Sequence, residues 1–418
     1  FSQLDPELSQ IFLEHGRSDV SPGDARPLAA VRRSEVGKVL VSDLLAPQGL
    51  EVLRHAEGIE VLDRPGISPG DLLACVADVE GLIIRSGTKV TAEVIERAEC
   101  LQVIGRAGIG VDNVDVSAAT ERGIAVLNTP EGNNVTTAEH AISLLLSLAR
   151  HIPRATASVK AGRWEKKQFT GIELFNRTLG VVGLGNIGRI VAIRAQGLGL
   201  KVVAFDPHIS RDAAAKLGVE LVEFDDLLSR ADAITVHVPR TKDTVGLLGA
   251  KAFARARPGV LIVNAARGGI VDEAALLDAL ESGQVGGAAL DVFEKEPPDP
   301  DSPLVAHERV ICTPHLGAST EQAQVNVSVA VAEQVRDYLL DGLAHNAVNV
   351  PSVSREQMEE VRPYVLLAEK LGRFQAQLSP SGIDQVEVEY AGEVSEIEVA
   401  PITIAVLKGL LESVSDHV

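Results

Sequence analysis

The sequence has few cysteines and a shortage of positive charge, and each excludes a class of protein. Its three cysteines, Cys75, Cys100 and Cys312, are far apart and show no Cys-x-x-Cys or Cys/His metal-binding spacing. A disulfide scaffold is therefore excluded, no metal site is indicated, and a reducing, cytoplasmic compartment is expected. The 39 basic and 58 acidic side chains give a net charge of −19, which argues against nucleic acid or an anionic membrane as a partner.

Long apolar runs are missing as well. The stretch Ala141–Ala149 falls well short of the ~18 residues that a membrane span needs. No charged segment followed by an apolar core opens the chain, so no signal peptide is indicated. What is present is ordinary for a globular protein, with 45% hydrophobic and 23% charged residues. At ~150 residues per domain, the 418 residues predict two or three domains.

Strand and helix patterns alternate along most of the chain, which is typical of parallel sheets. After an extension or linker at 1–36, a first α/β unit covers 37–138 and a second covers 139–318. The helical segment in 319–350 follows a unit that already looks complete, so we expect it to return to the first unit. The first domain would then be discontinuous, with a ligand-binding cleft between the two units.

The predicted fold is thus α/β, with two Rossmann-like, doubly wound parallel sheets and the start of a third, α+β domain at 351–418. In that last segment the alternation of Val386–Tyr390 predicts a strand between two helices. Two capping-box patterns, Thr136–Glu139 and Ser319–Gln322, indicate where long helices begin.

A dinucleotide fingerprint follows the apolar run Leu179–Val182, which predicts a buried strand. Gly183 permits the tight turn, Gly185 lets a pyrophosphate approach the backbone, and Gly188 permits close packing of helix on strand. A glycine pattern alone is weak, but here it lies between a strand and a helix, where the fingerprint requires it.

The residues around this turn indicate which dinucleotide binds. The amides of Asn186 and Ile187 open the helix and can face the pyrophosphate. The next strand, Lys201–Phe205, ends in Asp206, whose carboxylate can accept both adenosine ribose hydroxyls. The same carboxylate would repel a 2′-phosphate, so NAD is favoured over NADP.

Three later segments carry the groups needed for acid/base chemistry. Asn264–Gly269, Ala289–Pro297 and Thr313–Ala318 each follow a predicted strand. Because open parallel sheets place their active sites at the carboxyl ends of the strands, we expect an arginine, a carboxylate and a histidine to converge at the edge of the cleft.

These segments resemble the D-isomer-specific 2-hydroxyacid dehydrogenases over about residues 38–350. The branch of the family that oxidises 3-phosphoglycerate to 3-phosphohydroxypyruvate, the first step of L-serine biosynthesis, is the most similar. Four motifs carry the resemblance: Gly105–Asp115, Arg163–Glu165, Ala266–Gly269 and His315–Thr320. Ile109 departs from it, since some members have a threonine there. Residues 351–418 resemble the beginning of that branch's intervening domain, which implies a chain truncated within this domain.

The resemblance implies a role for each catalytic candidate. His315 would be the acid/base that exchanges a proton with the substrate oxygen. Glu296 would pair with His315 and favour its imidazolium form. Arg267 would bind the substrate carboxylate and polarise the carbonyl. NAD would carry the hydride.

The resemblance also implies the remaining contacts. Further cofactor contacts are expected at Val238, Ala265, Ala266, Asp291, Gly317 and Ala318, together with Arg267 and His315. Arg85 and Arg106 follow neighbouring predicted strands and would bind a phosphate. The substrate would also contact Asn133 and the amides of the glycine-rich loop at Gly108.

Two alternatives stay open. One is a glyoxylate or hydroxypyruvate reductase of the same family, which needs no phosphate site. The other is an NAD(H)-sensing corepressor without turnover. The segment around Trp164 embraces the partner subunit in this family, so a homodimer or homotetramer is expected.

Overall fold

A computed structural model describes residues 37–350, 355–378 and 385–411. Its first sheet has five parallel strands in the order β2-β1-β3-β4-β5. The strands are β1 Gly37–Val41, β2 Ile59–Asp63, β3 Gly81–Ile84, β4 Val103–Arg106 and β5 Ala125–Asn128. The central strands are short apolar runs because helices cover both faces of the sheet. The predicted extension at 1–36 lies outside the described residues.

The second sheet has seven parallel strands in the order β12-β11-β10-β9-β6-β7-β8. Its strands are β6 Thr178–Val182, β7 Lys201–Phe205, β8 Glu220–Leu221, β9 Ala233–Val236, β10 Val260–Asn264, β11 Val285–Leu290 and β12 Val310–Cys312. The strand order reverses beside β6, where doubly wound sheets bind their ligands. The two predicted parallel sheets are confirmed.

Helices connect the strands and pack on both faces of each sheet. Those of the first sheet are α1 Pro47–Arg54, α2 Pro69–Cys75, α3 Ala92–Arg97 and α4 Val116–Glu121. Those around the second are α5 Asn134–Ala149, α6 Ile152–Lys160, α7 Asn186–Gly197, α8 Arg211–Lys216, α9 Phe224–Arg230, α10 Ala250–Arg255, α11 Glu273–Glu281 and α12 Pro303–Ala306. None of the described helices combines the length and hydrophobicity of a membrane span.

Helix α13, Glu321–Asp341, returns from the second sheet to the first. Its buried residues Val327, Val331 and Val335 share a core with Ile83 of β3 and Val103 of β4. The predicted discontinuity of the first domain is therefore confirmed, although its boundary residues stay predictions.

The two capping predictions have different outcomes. The second box correctly indicates where α13 begins but is displaced by one residue: Thr320 and not Ser319 is the cap, and its side chain accepts the Ala323 amide at 3.2 Å. The capping box at Thr136 is wrong, because α5 has already begun at Asn134. The Thr136 hydroxyl, inside the first turn, instead lies 3.2 Å from the Thr320 hydroxyl.

The carboxy-terminal segment contains α14 Arg355–Leu378 and α15 Ala400–Leu411. The two helices pack closely, since a side chain at Gly372 would overlap the Val406 carbonyl. The strand predicted at 386–390 is wrong: those residues are not in a strand, and the described residues offer no partner strand. Of the alternating apolar residues, Tyr390 packs on α15, with its hydroxyl 2.7 Å from that of Thr403, while Val386 is 39% exposed.

Close packing of α13 on α1 predicts a difference between two glycines. A Cβ on Gly49 of α1 would lie 2.5 Å from the Ser328 carbonyl oxygen of α13, whereas one on Gly70 of α2 meets open space. We expect Gly49→Ala to destabilise the fold by about 1–3 kcal/mol, as overpacking does. Gly70→Ala should be neutral or stabilising by about 0.4–1 kcal/mol, because it restricts the unfolded chain. Urea denaturation midpoints measure both, and equal midpoints would contradict the assigned contact.

Candidate active site

A histidine and a glutamate meet at the carboxyl ends of β11 and β12. His315 Nδ1 lies 2.8 Å from Glu296 Oε2, and Glu296 Oε1 accepts the Phe293 amide at 3.1 Å. Burial by itself raises the pKa of Glu296. The hydrogen bond and charge of His315, together with the hydrogen bond from the Phe293 amide, outweigh burial and hold that pKa below its usual range. The carboxylate is thus ionised at neutral pH. His315 Nε2 has no protein partner among the described residues, and its side chain is 45% exposed.

Asp291 holds the loop that carries His315. Its side chain is 1% exposed and accepts the amides of Leu316 at 2.7 Å and Gly317 at 2.8 Å, while its carbonyl accepts the His315 amide at 2.9 Å. These bonds stabilise His315 in a left-handed conformation, with φ of 54°. His140 Nε2 lies 3.1 Å from the same carboxylate. All these contacts are with protein, so the cofactor contact expected of Asp291 stays a prediction.

Arg267 lies after β10 and faces the first sheet. Its Nε donates to Asp112 Oδ2 at 2.8 Å, and its Nη1 donates to the Ala266 carbonyl at 2.7 Å. The Asn264 side chain closes the loop, donating to the Arg267 carbonyl and accepting the Ala266 amide. The guanidinium is therefore oriented before any ligand binds, with Nη2 facing Gly110.

A glycine-rich loop after β4 packs under two guanidinium groups. A side chain at Gly108 would overlap the Arg106 guanidinium, and one at Gly110 would overlap that of Arg267. The expectation of a free Gly108 amide is wrong, because that amide donates to Thr129 Oγ1 at 2.6 Å in a buried position. The amides of Ile109 and Gly110 have no acceptor within the described ranges, so they can still bind a carboxylate.

Arg106 lies between the other two arginines. Burial, with smaller contributions from the neighbouring Arg267 and Arg85 charges, lowers its pKa to about 10, against the opposing carboxylates of Asp112 and Asp43. A pKa of about 10 still leaves the group charged at neutral pH. Its buried Nε has no hydrogen-bond partner in the described part of the protein. A buried donor without an acceptor destabilises the protein unless a ligand or a water molecule accepts its hydrogen bond.

Arg85 and Asn133 lie at the same edge of the first sheet. The Arg85 amide donates to Asp43 Oδ2 at 2.6 Å, and its Nη1 donates to the Leu44 carbonyl at 3.3 Å. Buried Asn133 caps α5 by position but not through its side chain, and its Oδ1 has no partner among the described residues. Both residues thus retain groups that a substrate can use.

The glycine turn after β6 fits a pyrophosphate. Gly183 has φ of 89°, and a side chain at Gly188 would overlap the Gly183 carbonyl. A Cβ on Gly185 would meet open space, so nothing in the protein itself fills the position above the turn. The amides of Asn186 and Ile187, in the first turn of a 12-residue helix, have no acceptor in the described chain. Free amides at a helix N-terminus bind anions.

Asp206 lies at the end of β7, beside this turn. It accepts the Leu184 amide at 2.8 Å on one oxygen and the His208 amide at 2.8 Å on the other. Each oxygen keeps a lone pair for a ribose hydroxyl. Across the turn, Val238 packs against Gly183, and burial lowers the pKa of the neighbouring His237 to about 4, which leaves that ring neutral.

The sequence analysis gives no role to the groups that hold the arginines and their loops in place. These groups are Asp43, Asp112, Asn113 and Thr129. The same rule that selected Arg85 and Arg106 could have found Asp43, because it follows β1 at the same edge of the sheet.

Comparisons with known proteins agree with this geometry. Residues 142–317 match the NAD-binding domain of the D-isomer specific 2-hydroxyacid dehydrogenases, and residues 360–418 match the D-3-phosphoglycerate dehydrogenase intervening domain. The chain is 48% identical to D-3-phosphoglycerate dehydrogenase of Archaeoglobus fulgidus over 377 residues, 90% of this chain and 71% of that one. It is 43% identical to the Bacillus subtilis enzyme of the same name over 375 residues, 90% of this chain and 71% of that one.

Solved structures show the same architecture. NAD-dependent formate dehydrogenase from Staphylococcus aureus, in complex with NAD, superposes with a TM-score of 0.68 at 28% identity, covering 76% of this chain and 100% of its own. A glyoxylate reductase from Paecilomyes thermophila gives 0.69 at 29% identity, covering 75% of this chain and 99% of its own. The chain therefore belongs to the D-3-phosphoglycerate dehydrogenases, within the NAD-dependent D-isomer specific 2-hydroxyacid dehydrogenase family.

Proposed function

We propose that this chain oxidises D-3-phosphoglycerate to 3-phosphohydroxypyruvate, the first step of L-serine biosynthesis, with NAD as the hydride acceptor. The observation that carries the proposal is the row of three arginines, in which Arg85 and Arg106 lie at the strand ends of the first sheet and Arg267 faces them from the second. The substrate has an anionic group at each end, a carboxylate and a phosphate. Three guanidinium groups beside an acid/base pair match a substrate with two anionic ends.

The proton and the carboxylate are handled by residues of the second sheet. Bound NAD would supply the hydride acceptor at the nicotinamide ring. His315 Nε2 would remove the proton of the C2 hydroxyl, and Glu296 would stabilise the imidazolium that forms. Arg267 would bind the carboxylate through its Nη atoms, with the Ile109 and Gly110 amides as additional donors.

Removing the acid/base pair should affect turnover more than binding. We expect His315→Ala to lower kcat by roughly 10²–10⁴-fold, the usual scale for a lost acid/base. Glu296→Gln removes the charge that stabilises the imidazolium, so the pH profile of kcat/KM should move to lower pH. Steady-state kinetics from pH 6 to 10 measures both effects, and fluorescence titration with NADH checks that cofactor binding is retained. Full activity of either variant would refute the assignment.

Phosphate binding would fall to the first sheet. Arg85 and Arg106 end neighbouring strands, and the buried Nε of Arg106 has no acceptor among the described residues. A carboxylate bound at Arg267 would leave the phosphate to Arg85 and Arg106, whose charges both lie near enough to influence each other. Glyoxylate has no second anionic group, so these two arginines support a phosphorylated substrate over glyoxylate.

Substitutions of the three arginines should affect phosphorylated and unphosphorylated substrates differently. Each charge-assisted hydrogen bond contributes about 1.5–3 kcal/mol, so Arg85→Ala and Arg106→Ala should raise KM for 3-phosphoglycerate by roughly 10–100-fold. The KM for unphosphorylated glycerate should change much less. Arg267→Ala, the matched control, should impair both substrates because both carry the carboxylate. Equal losses on the two substrates in the Arg85 and Arg106 variants would remove the phosphate site from the proposal.

The decisive experiment compares 3-phosphoglycerate, glycerate and 2-hydroxyglutarate as substrates with NAD and with NADP. The proposal requires a clear preference for 3-phosphoglycerate and NAD. A preference for glyoxylate or hydroxypyruvate in the reverse direction would favour the reductase. NADH binding without turnover of any substrate would favour the corepressor. The cytoplasmic location and the serine pathway stay predictions.

A homo-oligomer is part of the proposal, supported by an exposed apolar surface around Trp164. Trp164 is 84% exposed, and it lines one surface pocket with Val159 and Ile172, which are 54% and 39% exposed. Large apolar side chains exposed together are typical of an interface.

Trp164→Ala should weaken self-association, because large aromatic side chains often dominate interface energies. Val245→Ala, which changes another exposed apolar residue, serves as the control. Sedimentation velocity over a dilution series should show dissociation of the Trp164 variant alone at a concentration where the parent is still associated. An unchanged oligomer would place the interface elsewhere.

A further inference from the structure

Two adjacent residues after β4 contact two different parts of the arginine row. Asp112 Oδ2 accepts from Arg267 Nε at 2.8 Å, across the cleft. Asn113 Nδ2 donates to the carbonyls of Arg85 at 2.7 Å and Thr88 at 2.6 Å, within the first domain. We propose that Asp112 and Asn113 are positioning residues that set, respectively, the carboxylate end and the phosphate end of the substrate site. The assignment of one end to a carboxylate and the other to a phosphate rests on the proposed function.

Asp112 fixes the direction of the Arg267 guanidinium. The Nε hydrogen is committed to Asp112 and one Nη1 hydrogen to the Ala266 carbonyl. The donors that remain lie on the Nη edge, which faces Gly110 and the free amides of its loop. A guanidinium held on one side keeps the opposite side for a carboxylate.

Asp112 also reduces repulsion within the arginine row. Arg106 and Arg267 pack on the same glycine-rich loop, and each disfavours the charge of the other. The Asp112 carboxylate opposes that effect on Arg106. Without it, the two guanidinium groups would separate or hold their ligand less well, since like charges at short range repel.

Asn113 fixes the loop that carries Arg85. This loop is held from both sides: Asn113 donates to the carbonyls of Arg85 and Thr88, and Asp43 accepts the amides of the same two residues at 2.6 and 3.1 Å. The Thr88 hydroxyl also bonds to that of Ser42 at 2.9 Å, in a buried position. Removing the Asn113 donor leaves two carbonyls unsatisfied and frees one side of the loop.

Because the two residues are adjacent in the chain, a single peptide unit links the two ends of the site. The separation of the carboxylate and phosphate positions would then depend on two neighbouring side chains, Asp112 on Arg267 and Asn113 on the loop of Arg85. This arrangement would select substrates by the separation of their anionic groups. It also makes a specific prediction, since each residue should affect only its own end.

The test measures binding without turnover. Isothermal calorimetry with saturating NADH gives the Kd of oxalate, which has carboxylates and no phosphate, and of 3-phosphoglycerate, which cannot be oxidised without NAD. We expect Asp112→Asn to raise the Kd of both ligands by about 10-fold or more, on the scale of a charge-assisted hydrogen bond. Asn113→Asp, which keeps the size and loses the donor, should raise the Kd of 3-phosphoglycerate about 10-fold and leave that of oxalate within about twofold.

The control is Asp115→Asn, in the same segment. Asp115 caps α4 by accepting the Ala118 amide at 3.0 Å, and asparagine caps equally well. This variant loses a charge from the same loop, and neither Kd should change. Asp112→Glu should restore part of the affinity, because it keeps the carboxylate.

Four outcomes overturn the proposal. The first is an unchanged Kd of oxalate in Asp112→Asn, and the second is an equal rise in the Kd of both ligands in Asn113→Asp. The third is the same rise in Kd in the Asp115→Asn control, and the fourth is a parent protein that does not bind 3-phosphoglycerate. Circular dichroism and NADH affinity establish that each variant is folded. A parent protein that binds both ligands but does not oxidise 3-phosphoglycerate refutes the proposed function alone, and the affinities then still decide the roles of Asp112 and Asn113.

Discussion

Parallel strands determine where chemistry occurs in this protein, because their carboxyl ends all meet at one edge of each sheet. Two such edges face one cleft. The groups that we assign to the site all follow strands: Asp43 after β1, Arg85 after β3, Arg106 at the end of β4, Arg267 after β10, Asp291 after β11 and His315 after β12. Residues far apart in the chain, such as Asp112 and Arg267, thereby come into contact although no sequence motif links them.

This convergence also creates an electrostatic difficulty. Three guanidinium groups lie near one another, and burial already lowers the pKa of Arg106. Carboxylates accompany the arginines, with Asp112 on the guanidinium of Arg267 and Asp43 on the amide of Arg85. The net charge of −19 is therefore compatible with an anionic substrate, because local geometry and not the total charge sets the potential at the site.

Around His315, the role of each carboxylate depends on how deeply that carboxylate is buried. Asp291 lies beneath His315 and accepts successive amides of its loop, so a left-handed histidine is held without glycine. Glu296 lies beside the ring and keeps its charge because His315 and an amide donate to it. One carboxylate thus positions the loop that carries the histidine, while the other bonds the ring itself. Two acidic residues of similar chemistry have separate tasks because one is buried and the other is half-exposed.

The sequence alone determined the alternation of strands and helices along the chain, the glycine turn after β6, and the positions of Asp206, Arg267, Glu296 and His315 after the ends of strands. These depend on local periodicity and on the strand-end rule, which act within a few residues. Tertiary structure decided which hydrogen-bond donors are free. The Gly108 amide donates to Thr129, α5 begins at Asn134, and Val386–Tyr390 have no partner strand among the described residues. Tertiary structure also joined Asp112 to Arg267, 155 residues away. Such pairings depend on how two sheets approach in space, and no local pattern encodes that approach.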